Sequence, residues 1–212
     1  MNAIPTHYNG INFRSRLEAK WARFFDLLGW PYEYEPIDLN GYIPDFVLKF
    51  DTPIAVEIKP DFTRIKLTES AGKALIACNR AGIPLLCLGA TLIEEITYST
   101  VGLGLIDVEA SGYLEPAEFS WCSHHKGYAF YPPEGLWMCM RCGGKCQEVY
   151  NKPYWFWNRK KEHAADLDKI PGETPLQAEI RLNSRFRDTD AIQQFWSEAT
   201  NLTQYKRIFL AE

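Results

Sequence analysis

No stretch of the chain approaches the roughly 20 uninterrupted apolar residues that a membrane-spanning helix needs, and the N-terminus, MNAIPTHYNG, lacks the basic-then-apolar plan of a secretory leader. No membrane association is therefore expected, and a cytoplasmic location is. Internal repeats and low-complexity tracts are missing too, which sets aside solenoids and disordered linkers. Positive charge is in short supply: 23 Lys and Arg stand against 27 Asp and Glu, a net charge of −4. The chain as a whole offers a polyanion no attraction, so any basic footprint must be local.

What is present is ordinary for a compact protein. The 212 residues are 46% hydrophobic and 24% charged, enough for one large domain or for a core with an appended module. In a reducing compartment the six cysteines read as core residues or metal ligands before disulfides. Cys78 and Cys87 lie in apolar segments and read as small buried hydrophobes. The other four fall within residues 122–146.

Residues 13–28, FRSRLEAKWARFFDLL, place Phe13, Leu17, Trp21, Phe24, Phe25 and Leu28 at helical spacing, with Gly29 as a stop signal. The polar face of this helix carries Glu18 among Arg14, Arg16, Lys20 and Arg23. Three strand-like runs follow, at 32–37, 42–50 and 54–59, separated by Asn40-Gly41 and Asp51-Thr52-Pro53. Asn-Gly favours a hairpin because both residues tolerate positive φ, so the first two strands should be antiparallel neighbours. Residues 67–81 read as a second helix, with Thr68 as its cap and Gly82 ending it, and 83–89 as a buried strand. The resulting order is αβββαβ, and a strand–helix–strand succession implies a parallel crossover in a mixed sheet covered by helices. Residues 91–118 contain strand-like and irregular pieces (LIEEITYST, GLIDVEA) that have no assigned place in the fold, and a C-terminal helix is expected around 189–204.

Asp45 falls in the second strand, and Glu57 and Lys59 are two apart on the third, so the strand period puts Glu57 and Lys59 on one face and turns Ile58 to the core. If the two strands pair, Asp45 and Glu57 converge, and their hard oxygens suit Mg²⁺ or Mn²⁺. Arg14 and Arg16 could grip substrate phosphates, although a solvated helix face explains them equally.

Literal Pro44-Asp45, an eleven-residue gap and Glu57-Ile58-Lys59 in an αβββαβ order resemble the PD-(D/E)XK nuclease superfamily over roughly residues 8–90. The resemblance implies a restriction-endonuclease-like α/β core and Mg²⁺-dependent hydrolysis of DNA phosphodiester bonds by a metal-activated water. It makes Asp45, Glu57 and the helical Glu18 metal ligands and Lys59 the catalytic lysine. It also points to Glu69 or Lys73 as a polar contribution from the second helix.

Cys122-Ser123-His124-His125 and Cys139-Met140-Arg141-Cys142 form a C-x₂-H…C-x₂-C arrangement with thirteen residues between the pairs, which suits tetrahedral Zn²⁺ on two knuckles. This arrangement resembles a zinc ribbon, with Gly143-Gly144 as the turn. His125 has the knuckle spacing, while His124 and Cys146 remain alternatives for the fourth ligand. A closed four-ligand site is structural; its expected role is to stabilise the fold or to present Lys126, Arg141 and Lys145 to nucleic acid. The run PYWFWNRKK at 153–161 could stack unpaired bases, but core aromatics followed by a solvated charge cluster is the preferred account.

The expected organisation is a nuclease core over 1–118, a zinc-ribbon-like module over 119–150 and an aromatic, basic and helical region over 151–212. The expected partner is DNA, with a homodimer open to the chain. Two alternatives stand: a non-catalytic nucleic-acid-binding or assembly module built on a nuclease-like core, and a branched-DNA resolvase.

Overall fold

The computed structural model describes residues 3–95, 100–108, 111–122, 124–131, 139–143 and 191–201. A short hairpin opens the chain: β1 (Thr6–Tyr8) pairs with β2 (Ile11–Phe13) across Asn9-Gly10, whose φ values of 47° and 80° are those a two-residue turn demands. Pairing of β2 delays the first helix relative to the expected start. α1 (Arg16–Leu27) begins after Ser15, whose hydroxyl accepts the Glu18 amide, and the chain leaves it through Gly29 at φ 61°.

β3 (Tyr32–Tyr34), β4 (Phe46–Leu48) and β5 (Ile54–Ile58) form the expected antiparallel meander. The Asn40-Gly41 turn is present, with φ of 57° and 90° and a Leu39 amide donating to the Tyr42 carbonyl at 2.7 Å. The ladder, however, stops at Tyr34 and Phe46, short of the expected strands. Pro36 and Pro44, which have no N–H to donate, flank the resulting loop of residues 35–45.

The second helix divides at Ala71 into α2 (Arg64–Ser70) and α3 (Gly72–Ala81). Thr63, not Thr68, caps α2; the Thr68 hydroxyl instead donates back to the Arg64 carbonyl at 2.9 Å. Gly82, at φ 66°, ends α3. β6 (Leu85–Leu88) then runs parallel to β5.

Residues unassigned from sequence supply β7 (Ile93–Glu95), β8 (Thr100–Asp107) and β9 (Glu115–Cys122), followed by β10 (Gly127–Tyr131). The sheet order is β10-β9-β8-β6-β5-β4-β3, with β7 against β8 and β5·β6 its one parallel pair, so the described residues form a mixed α/β structure. A fourth helix, α4, covers 191–201.

Helices cover both faces of the sheet. On one, Trp21, Phe24 and Phe25 of α1 and Ile192 and Ala199 of α4 pack on Ile54, Val56, Ile58, Leu86 and Leu88. On the other, Leu67, Ala74 and Cys78 of α2 and α3 cover Ala55, Leu85, Cys87 and Leu105. Both cysteines are buried small hydrophobes, as expected. Gly104 of β8 has no room for a side chain: a Cβ there would come 2.8 Å from Leu88 Cδ2 and closer still to the Cys87 carbonyl oxygen. Gly104→Ala should therefore cost about 1–3 kcal/mol through overpacking, read as a lowered denaturation midpoint; an unchanged midpoint would contradict this β6–β8 packing.

Candidate functional site

Four acidic side chains are buried among the described residues: Glu18, Asp45, Glu57 and Asp107. Burial of a carboxylate is costly unless it is hydrogen-bonded and paired, so each needs an explanation. Asp107 has a structural one, accepting from the Ser111 amide and hydroxyl and from the Gly112 amide. The other three gather at one end of the sheet.

Continuing the β4–β5 register one step beyond Phe46↔Val56 sets Asp45 opposite Glu57 on the same face. Asp45 is 5% and Glu57 7% exposed. Asp45 Oδ2 accepts the Ile58 amide at 2.7 Å, and Oδ1 accepts from Arg14 Nη2 at 2.6 Å. Glu57 is gripped at both oxygens, by the Lys59 ammonium 2.5 Å from Oε1 and by the Tyr42 hydroxyl donating to Oε2.

Glu18 approaches from the α1 layer. Its Oε1 accepts the Ser15 hydroxyl at 2.8 Å, and its Oε2 accepts the Arg14 amide at 3.1 Å and the Tyr34 hydroxyl at 2.7 Å. With Ser15 accepting the Glu18 amide, this is a variant of the capping box that closes on the amide before the N-cap residue, and it by itself accounts for a buried glutamate here. Arg14 joins the layers, its Nε 2.8 Å from Glu35 Oε1 while Nη2 holds Asp45.

Burial is the main cause that raises the Asp45 pKa to about 7; the charges of Glu57 and Glu18 add to it, and the Ile58 amide and Arg14 only partly offset them. Burial also pulls the Lys59 ammonium down, but its bond to Glu57 and the nearby negative charge outweigh that and leave its pKa raised. The Tyr42 hydroxyl is driven upward by burial and by Glu57, and Tyr34 to about 12 by burial and by Glu18. Both therefore act as neutral donors.

Arg16, the first residue of α1, is half-buried, and Lys73 and Glu69 are exposed. None of the three bonds to the carboxylates among the described residues. Sequence reasoning missed Tyr34, Glu35 and Tyr42. Ser15-x-x-Glu18 offered a signal for the cap, but nothing local announces that a tyrosine before the loop and another within it will turn onto carboxylates.

A second group lies on the β9–β10 turn and the 139–143 segment. Single ligand atoms of Cys122, His125, Cys139 and Cys142 all lie within 4.8 Å of one another. Cys122 Sγ is 3.9 Å from Cys142 Sγ, and Cys139 Sγ is 3.5 Å from His125 Nδ1. A tetrahedral site with Zn–S near 2.3 Å and Zn–N near 2.0–2.1 Å has edges of about 3.8 Å and about 3.6 Å for these pairs, so the group is compatible with zinc. Burial lowers the pKa of His125, with Arg141 adding to it, which favours the neutral imidazole a metal needs. His124 is exposed and outside the group, whereas Cys146, Gly144, Lys145 and the 153–161 run lie outside the described residues.

This is the only such group of three or more potential ligands among the described residues; Glu18, Asp45 and Glu57 do not all close to the same distance. No described helix is long and apolar enough to cross a membrane. Compared with family models, curated proteins and solved structures, the chain matches none.

Proposed function

We propose that the chain is a Mg²⁺-dependent deoxyribonuclease with a PD-(D/E)XK-like core, cutting internal phosphodiester bonds. The observation carrying this reading is the placement of Asp45 opposite Glu57, both buried, with Lys59 bound to Glu57. A fold gains nothing by sinking two like charges side by side, so a function that needs them there is the economical account. The sequence order αβββαβ persists over residues 16–88, with the second helix in two pieces.

The donors fit a hard divalent cation. Mg²⁺ commonly takes one or two carboxylates and keeps waters or substrate phosphates for the rest, so Asp45 and Glu57 suffice, with Glu18 behind them. Glu18, Glu35, Asp45 and Glu57 against Arg14 and Lys59 leave two uncompensated carboxylates, the charge of one such ion. A bound Mg²⁺ or Mn²⁺ would polarise the scissile phosphate and acidify a water.

The protein's own groups do the positioning. The Ile58 amide fixes the Asp45 carboxylate, and Tyr42 aims that of Glu57. Lys59, kept protonated, serves as a cation beside the attacking water or the developing phosphorane charge, not as a base. The Cys122, His125, Cys139 and Cys142 group is read as a structural Zn²⁺ site, with all four positions taken by protein.

Incubation of the whole protein with plasmid, linear, single-stranded and branched DNA, with and without Mg²⁺, tests the reading. Cleavage requiring both Mg²⁺ and Asp45 is expected. If Asp45→Ala and wild type behave alike on every substrate, the assignment fails; Mg²⁺-independent DNA binding without cleavage would favour a non-catalytic module.

A further inference from the structure

Every oxygen of the three buried carboxylates has a donor, but the donors differ in how easily they can leave. Glu18 and Asp45 Oδ2 are held by backbone amides, by Ser15 or by Tyr34, and Glu57 by Tyr42 and the half-buried Lys59. Asp45 Oδ1 is held by Arg14, whose side chain is 61% exposed. It is the one oxygen of Asp45 that the backbone does not hold, and its partner can swing away without disturbing the sheet.

Arg14 is also held from a second direction, because its Nε lies 2.8 Å from Glu35 Oε1. Glu35 sits in the left-handed region at φ 46°, an unfavourable conformation for a residue with a Cβ, and its amide donates to the Asp45 carbonyl at 3.0 Å. The backbone is thus bent at the point that turns a carboxylate onto Arg14.

We propose that Arg14 is an exchangeable counter-ion, standing in for a divalent cation at Asp45 Oδ1 and freed for a substrate phosphate once that cation binds, with Glu35 as the positioning residue that tethers it throughout. The inference rests on the carboxylate reading given above. A guanidinium and a divalent ion repel each other and compete for the same oxygen. The Nε contact to Glu35 leaves the outer edge of the guanidinium fork to turn towards phosphate, the geometry in which arginine recognises it best. A device of this kind limits the uncompensated charge of the empty site and makes substrate contact conditional on the cation.

Titration calorimetry of the whole chain with Mn²⁺ tests the exchange. Removing a competing cation should make Arg14→Gln bind Mn²⁺ about tenfold tighter than wild type, while Arg14→Lys, which keeps the charge, stays near the wild-type value. On DNA, Arg14→Gln should raise KM more than it lowers kcat. A measurement without mutation guards against misfolding: adding Mg²⁺ to wild type should shift the Arg14 Nη resonances and leave Nε protected by Glu35. If Arg14→Gln binds Mn²⁺ no tighter than wild type, or the Nη resonances do not move while Mn²⁺ binds in an Asp45-dependent way, Arg14 is not exchanged and the proposal falls alone. If wild type shows no Asp45-dependent Mn²⁺ site, the carboxylate reading falls and takes this one with it.

Discussion

At about pH 8.5 and without added Mg²⁺, Asp45→Asn is expected to be more stable than wild type while cleaving no DNA. The folded carboxyl titrates at about 7, against about 3.9 for an unfolded aspartate. Between those values the native chain holds the proton more tightly than the unfolded one, so stability falls as pH rises from about 4 to about 7 and the loss then persists. At roughly 1.4 kcal/mol per pKa unit, the full penalty is on the order of 4 kcal/mol.

Asparagine removes the ionisation and still offers an oxygen to the Ile58 amide. The variant should melt roughly 8–16 °C above wild type at alkaline pH and level with it near pH 4. Mg²⁺ should stabilise wild type and leave the variant unmoved, and cleavage should drop by on the order of a thousandfold or more as the cation's anchor is lost. Equal melting temperatures across the whole pH range would remove the case for strain at Asp45.

Loss of the zinc proposed for the Cys/His group carries the second large effect. The Cys139 thiol is fully buried, and burial pushes its pKa up to about 12, so without a metal it stays protonated. A bound zinc would supply the thiolate with a counter-charge and link the β9–β10 turn to the 139–143 segment. That segment also reaches the core: Met140 packs within the main hydrophobic cluster, its amide donates to the Phe130 carbonyl at 3.1 Å, and the Arg141 carbonyl accepts the Asp51 amide at 3.2 Å.

Cys139→Ser, or exhaustive chelation, should therefore lower the melting temperature by about 10 °C, the scale of a few kcal/mol of lost ligand stabilisation in a chain of this size. Elemental analysis of the untreated protein should give one zinc per chain. Asp51 lies on the β4–β5 turn, at the opposite end of those strands from Asp45 and Glu57. Cleavage measured well below the new melting point should accordingly fall far less than stability does. Absence of zinc together with an unaltered melting curve would dismiss the site.

The parts of this structure that sequence made legible are those governed by short-range rules. Helical spacing in α1, the Asn40-Gly41 turn, the Gly82 stop and the knuckle spacing that favoured His125 over His124 all involve residues a few positions apart. Asp45 and Glu57 were legible because strand period and one antiparallel pairing suffice to place them on one face. The extent and place of β8 were not, since the described residues from Gly102 to Asp107 are all buried and no alternation survives to set a face, although GLIDVEA reads as strand-like. The shortened β3–β4 ladder was masked by favourable turn chemistry that outweighed two prolines. The tyrosine contacts to Glu18 and Glu57 and the Arg14–Glu35 pair depend on a loop conformation that no periodicity encodes.

The seat of α1 is completed from far along the chain. Trp21 meets Trp196 at 4.4 Å between ring centroids, Lys20 lies over the Trp196 ring, and the Trp21 indole donates to the Gly89 carbonyl. During synthesis, the helix bearing Glu18 therefore leaves the ribosome long before the residues that cover it. The nascent chain would carry the Trp196-facing side of Trp21 and Phe24 uncovered for most of its elongation, a window in which chaperones can engage it. A DNA-cutting centre of this design would mature only when α4 has docked.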